Sequence, residues 1–219
     1  MAIRLAPTPA VLFRIGRSPD PLAFPPLAFS GAGRYDDPQK RTSVLYAAVD
    51  RRAAFMETLD AFRPDLATLA DRNAAVGPGA DEPDVRSYTP IPTKFFNRRI
   101  ARFSVAANQR WLDVRSPETH EVLREELGAF VSSFSGVSRF VLGDLLSNDH
   151  RVTQLVAGWA IGQGFHGIAY ASCHDPSLTC WAIFEDASLT PLEDPRPVQI
   201  DDVDLAAVAK LWSLEIPFA

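Results

Sequence analysis

Four side chains stand in local contexts that suit a buried polar site. Arg34 closes a glycine-rich turn (FSGAGRYDDP, 29–38), and Tyr46 lies in the apolar run SVLYAAV (43–49). Glu57 sits in the otherwise apolar stretch RRAAFMETLDAF (51–62), and Ser172 ends a second apolar run, GIAYAS (167–172). A cation, an aromatic ring, a carboxylate and a hydroxyl are what a pocket for a charged nucleotide needs. A guanidinium offers a planar fork for phosphate oxygens. A tyrosine ring packs flat while its hydroxyl seeks a polar partner. Arg14 is a fifth candidate because it interrupts the apolar run VLFRIG. Buried there it needs Glu57 or an anion such as a phosphate; on an edge strand it would point to water. Read singly, each residue also has an ordinary role: a surface arginine in a turn, a core-filling tyrosine, a solvated helix glutamate, a strand-end serine.

The elements that must position these groups are legible in outline. Residues 11–15 read as a first strand, and the proline-bearing stretch 18–28 reads as loop. Residues 43–49 read as a strand rich in apolar residues. Asp50 then caps a helix through about residue 62, ended by Pro64, with Phe55, Met56, Leu59 and Phe62 at helical spacing toward the core. Glycines and prolines make 73–92 a long surface loop. Residues 100–106 and 110–114 read as a pair of strands. Ser116 followed by Pro117 and Glu118 starts a helix. Residues 147–163 read as a buried helix with a Ser or Asn cap, closed by Gly164. GIAYAS and CWAIFE (180–185) read as core strands, and 201–213 as a last helix capped by Asp201. Trp159 and Trp181 read as core. The mixed order of elements predicts an α+β domain.

The whole chain narrows the function classes. Its 219 residues are 47% hydrophobic and 22% charged, with a formal charge of −5, which suits one globular core. No Lys/Arg block points to nucleic acid. No stretch approaches a membrane span, and the start lacks the apolar core of a signal peptide. The two cysteines, Cys173 and Cys180, form neither a zinc pattern nor a disulfide framework. These features predict a cytoplasmic protein in a reducing compartment. There is no GxxxxGK[ST], no GxSxG elbow and no HExxH, and GAGRYD lacks the third glycine of a dinucleotide fingerprint. The histidines 120, 150, 166 and 174 do not cluster at ligand spacing, so no metal site is expected. His166 and His174 bracket the Ser172 strand, which would let one of them border a pocket; the structural reading is favoured over a catalytic one.

Taken together, VLFRIG, GAGRYDDP, SVLYAAVDRRAAFMETL and WAIGQGFHGIAYASCHDPSLTCWAIF resemble the RES-domain family, named for an arginine, a glutamate and a serine. The resemblance runs from about residue 10 to 186 and leaves 187–219 as a C-terminal strand and helix of a single 1–219 domain. Where many members read GGRW, this chain reads AGRY. The resemblance implies a mixed sheet with flanking helices, similar to diphtheria-toxin-like ADP-ribosyltransferases. It implies a toxin of a bacterial toxin–antitoxin pair that acts on NAD⁺, either destroying it by hydrolysis or phosphorolysis or moving ADP-ribose to a protein acceptor. It also implies an Xre-type helix-turn-helix antitoxin that covers the active site. A non-catalytic binding partner of such an antitoxin is the alternative.

By the same resemblance Arg34, Tyr46 and Glu57 form the catalytic set. Arg34, Tyr46 and Ser172 contact the nucleotide, with Arg14 added on its own sequence context rather than on the resemblance. Cleavage of the nicotinamide–ribose bond builds positive charge on the ribose, as in glycoside hydrolysis. Glu57 would face that charge, Arg34 would grip the pyrophosphate, Tyr46 would pack on nicotinamide, and Ser172 would hold Glu57 or the nicotinamide amide.

Overall fold

The structure, a computed structural model, describes residues 2–75, 89–135 and 141–217. In chain order the strands and helices are β1 (Leu12–Arg17), β2 (Val44–Ala48), α1 (Arg51–Leu59), α2 (Leu66–Ala75), β3 (Thr89–Pro90), β4 (Arg98–Val105), β5 (Trp111–Asp113), α3 (Pro117–Ser135), α4 (Leu142–Leu146), α5 (Arg151–Gly162), β6 (Gly167–Ala171), β7 (Thr179–Phe184), β8 (Leu189–Pro191), β9 (Arg196–Pro197), α6 (Val203–Leu211) and β10 (Leu214–Glu215). The main sheet runs β5-β6-β7-β2-β1-β4-β8, with β9 also on β4. β5 and β6 are parallel and the other pairings are antiparallel, while β3 and β10 form a separate parallel pair. This is a mixed α+β fold with a central sheet and flanking helices.

Period-two alternation explains why the central strands read as unbroken apolar runs. Val44 and Ala48 of β2, Ile168 and Tyr170 of β6, and Cys180, Ala182 and Phe184 of β7 join the core shared with α1, α3, α5 and α6. Leu45 and Ala47, Ala169, and Trp181 and Ile183 join a second core on the opposite face. Leu22 and Phe24 of the 18–28 loop cover that second core. With both faces covered, alternation no longer shows as polar residues.

Local signals set several ends. Asp50 accepts from Ala53 N at 3.1 Å to start α1, and Ser116 Oγ accepts from Thr119 N at 3.1 Å to start α3. The α1 helix stops at Leu59 and passes into a 3₁₀ turn over Asp60–Phe62. Gly164, at φ +71°, follows α5 as expected.

Four expectations need correction. Residues 66–75 are helical, so the 73–92 loop begins inside α2, ends in β3, and otherwise lies outside the described residues. β4 and β5 do not pair with each other; β4 lies on β1 and β5 on β6. Strand pairing is a long-range choice that adjacency in sequence does not dictate. The helix expected from 147 begins at Arg151, where Asp149 Oδ1 accepts from Arg151 N. Finally, α6 is capped by Asp202, whose carboxylate accepts from Asp204 N and Leu205 N.

The sheet opens at one seam. β1 pairs with β4 from Leu12 to Arg17 and β2 with β7 from Val44 to Ala48, yet β1 and β2 are in register only at Phe13 opposite Ala48. Beyond that point the strands part. The gap is bridged by a side chain, because Arg14 Nη1 donates to Tyr46 O at 2.7 Å. Arg14 thus supplies the donor that a continued ladder would have given to this carbonyl.

Candidate functional site

A cleft of about 680 Å³ lies over this seam, within the range of small-molecule sites. Arg14, Arg34, Tyr46 and Glu57 all line it. Ser172 is fully buried and lies directly behind Glu57. The structure therefore gathers the five candidates in one place.

Glu57 is carried by α1, whose Ala53, Ala54, Phe55, Met56 and Leu59 are buried. At its start, Arg51 pairs with Asp202 and Asp204 of α6, which fixes the helix over the sheet. Ser172 Oγ donates to Glu57 Oε1 at 2.7 Å and accepts from His174 N at 3.2 Å. The Cys180 thiol reaches the same oxygen at 3.5 Å. Among the described residues no donor reaches Oε2, so one carboxylate oxygen is anchored and the other is left to the cleft.

Arg34 leaves the glycine-rich turn toward α4. Its Nη1 donates to Leu145 O at 3.0 Å and Ser147 O at 2.6 Å, at the carbonyl end of that helix. The turn needs its glycines. Gly31 has φ +111°, a left-handed conformation that L side chains rarely adopt. A Cβ on Gly33 would fall 2.5 Å from both Asp36 Oδ1 and Tyr46 Oη. Tyr46 Oη donates to Asp36 Oδ1 at 2.9 Å and accepts from Tyr35 N at 2.9 Å. Burial, reinforced by the Asp36 charge, pushes the Tyr46 phenol well above its ordinary pKa, so it stays protonated.

Arg14 meets neither Glu57 nor solvent in the way a free edge would allow. Its strand lies between β2 and β4, and its partners are the carbonyls of Pro21 (2.8 Å) and Tyr46. Burial, aided by the Arg98 cation and opposed by Tyr46, pulls its guanidinium down to about 10. Arg98 is itself lowered by burial and by Arg17. Arg63 lies over the Trp212 ring at 5.3 Å. Arg14, Arg34, Arg63 and Arg98 all line the cleft, and among the described residues none of them has a carboxylate at ion-pair distance. Cations without counter-charges favour an anionic ligand, the more so where burial desolvates them, as it does Arg14 and Arg98.

Sequence reasoning missed Cys173, Arg63 and Arg98 and left open which of His166 and His174 borders the pocket. Cys173 and His174 line the cleft, with Sγ and Nε2 3.7 Å apart. That hydrogen bond lowers the thiol pKa and raises the imidazole pKa. His174 Nε2 is also 3.7 Å from Asp60 Oδ1. Position beside Ser172 was the available clue for His174, whereas His166 lies against Trp111, 6.4 Å between ring centroids. Arg63 and Arg98 carry no local signal, since only the packing of their segments brings them to the cleft. The second acid of the DDP segment separates cleanly from the first. Asp37 binds Arg41 and is fully buried, while Asp36 turns back onto the glycine turn.

The sheet thus opens at one seam, and the cleft over the opening is lined by the Glu57 carboxylate and by arginines that, among the described residues, have no carboxylate at ion-pair distance. The RES domain family description matches residues 11–206. The chain belongs to the RES-domain family. Among solved structures, the crystal structure of the M. tuberculosis MbcT–MbcA toxin–antitoxin complex is similar, with 13% identity, a TM-score of 0.47, and coverage of 96% of this chain and 90% of that one. No curated protein matches the chain. Among the described residues, no helix is long and apolar enough to cross a membrane.

Proposed function

We propose that the protein cleaves the nicotinamide–ribose bond of NAD⁺ as the toxin of a bacterial toxin–antitoxin pair. The observation that carries this reading is the cleft itself, where unpaired arginines share one wall system with a carboxylate anchored through a single oxygen. Membership of the RES-domain family supports it. The mixed central sheet with flanking helices agrees with the architecture that the family resemblance implies.

In this reading Arg34 and Arg14 take the pyrophosphate. Glu57 Oε2 faces the ribose, and the ring of Tyr46 forms a wall for nicotinamide. The C1′–N bond breaks with its electron pair going to the pyridinium nitrogen, so nicotinamide leaves neutral. Positive charge on the ribose is met by Glu57. Water, phosphate or a protein side chain then closes the anomeric carbon and gives up its proton. An Xre-type antitoxin covering the cleft is part of the same reading.

The test is direct. Purified antitoxin-free protein should release nicotinamide from NAD⁺. Arg34→Ala should mainly raise KM, and Glu57→Gln should mainly lower kcat. In bacteria, expression of the wild type should arrest growth and Glu57→Gln should not. No loss of NAD⁺ and no labelled protein in a lysate with labelled NAD⁺ would reject the reading; equal toxicity of both variants would favour a binding role.

A further inference from the structure

Tyr46 and Arg34 are twelve residues apart on different elements, yet one buried side chain joins them. Asp36 is 6% exposed. Its Oδ2 accepts from Gly31 N at 2.7 Å and Gly33 N at 2.9 Å, and its Oδ1 accepts from Tyr46 Oη. The carbonyls of the same turn are held from the other side, where Gln154 Nε2 of α5 donates to Gly31 O and Gly33 O, both at 3.0 Å. Both glycines leading into Arg34 are therefore held through their N–H and their C=O groups. The Tyr46 hydroxyl is fully engaged, because its proton goes to Asp36 and it accepts from Tyr35 N. A ligand in the cleft meets the ring of Tyr46 while the hydroxyl works on the Arg34 turn.

We propose that Asp36 is the positioning residue of the site, locking Tyr46 and the Gly31–Arg34 turn into one unit so that the Arg34 guanidinium is preset for an anionic ligand. This rests on the reading of the cleft as a pyrophosphate-bearing nucleotide site. Asp36 touches no ligand; it acts through Arg34. A carboxylate suits the place because all three of its bonds are accepted ones, two from backbone N–H groups and one from a phenol. Asparagine keeps a single carbonyl oxygen for the glycine N–H groups and leaves the phenol proton of Tyr46 without its acceptor. Alanine removes the acceptor shared by the Gly31 and Gly33 N–H groups.

The experiment measures ADP-ribose binding by calorimetry, steady-state NAD⁺ cleavage, and the rate at which phenylglyoxal labels Arg34, read by peptide mass spectrometry. Asp36→Ala should weaken ADP-ribose binding and raise KM by about tenfold or more, the scale of a lost charge-assisted hydrogen bond. Its kcat should fall by less than its KM rises, since Glu57 keeps its anchor on Ser172. Asp36→Asn should fall between, and it carries the test if the alanine variant does not fold. Arg34→Ala/Asp36→Ala should bind no more weakly than Arg34→Ala, because the second change acts through the first. Arg34 should label faster in both Asp36 variants. Unchanged binding in folded Asp36→Asn and Asp36→Ala, additive losses in the double variant, or a fall in kcat at constant KM would overturn the assignment. If wild-type protein binds no ADP-ribose, the functional reading falls. The labelling arm then decides Asp36 alone, equal Arg34 rates in wild type and Asp36→Asn rejecting it.

Discussion

Replacing Ser172 with alanine isolates the anchoring of Glu57. The hydroxyl makes two bonds, to Glu57 Oε1 and from His174 N. A hydrogen bond to an ionised partner contributes about 1.5–3 kcal/mol, and an orphaned buried N–H costs about 1–3 kcal/mol. In the free protein Glu57 faces the cleft, so water can take over part of the lost donation, and the stability loss should lie near the low end, about 2 kcal/mol. For a chain of this length that lowers Tm by roughly 4–8 °C. In the ligand-bound cleft water is displaced and no substitute donor arrives; the Cys180 thiol is a weak one at 3.5 Å. The full cost then falls on turnover, a drop in kcat of roughly 10- to 100-fold with KM nearly constant. Initial-rate release of nicotinamide and a thermal melt measure the two effects separately. Full kcat in a Ser172→Ala protein would refute the anchoring argument. A rise in KM matching the fall in kcat would show general damage to the cleft instead.

Two further outcomes concern titrating groups. Burial pushes Asp37 up, but its bonds from Arg41 and from the backbone outweigh that and hold the carboxyl below 3.8. A folded pKa below the unfolded one means the stabilisation is complete above about pH 4 and is lost as pH falls through the folded value. Asp37→Asn should therefore destabilise more at pH 7 than at pH 3 in urea melts; equal losses at both would contradict the pairing. The His174 hydrogen bond holds the Cys173 thiol below its ordinary range, whereas burial drives Cys180 far above it. Iodoacetamide at neutral pH should alkylate Cys173 well ahead of Cys180, and NAD⁺ should slow it. Equal rates for the two thiols by mass spectrometry would count against the pair geometry.

Much of the local structure could be read from residue order because its causes are local. Asp50 caps α1 through the N–H three residues on, and Ser116 does the same for α3. Apolar runs such as VLYAA and TCWAIF mark strands wherever they lie, since period-two burial on both faces leaves no polar positions. The α2 helix was missed although its signals are local: Asp65 accepts from Thr68 N, and Leu66, Leu69 and Ala70 recur at helical spacing beside a Gly/Pro-rich stretch. The caps of α5 and α6 were misplaced by a few residues because several polar residues compete at each start, and only backbone geometry selects among them.

What sequence alone determined was the set of chemical groups: a guanidinium after glycines, a phenol, a carboxylate and a hydroxyl, each tied to its own segment. Their relation was decided in three dimensions. Ser172 and Glu57 are 115 residues apart and bond only because β6 ends beneath α1. Arg34 finds its carbonyls 111 and 113 residues away on α4. The opening of β1 from β2, which brings Arg14 into the cleft, is a property of sheet pairing. Side-chain type and short-range caps are written in neighbouring residues, whereas hydrogen bonds and charge environments across such separations exist only once the chain has closed on itself.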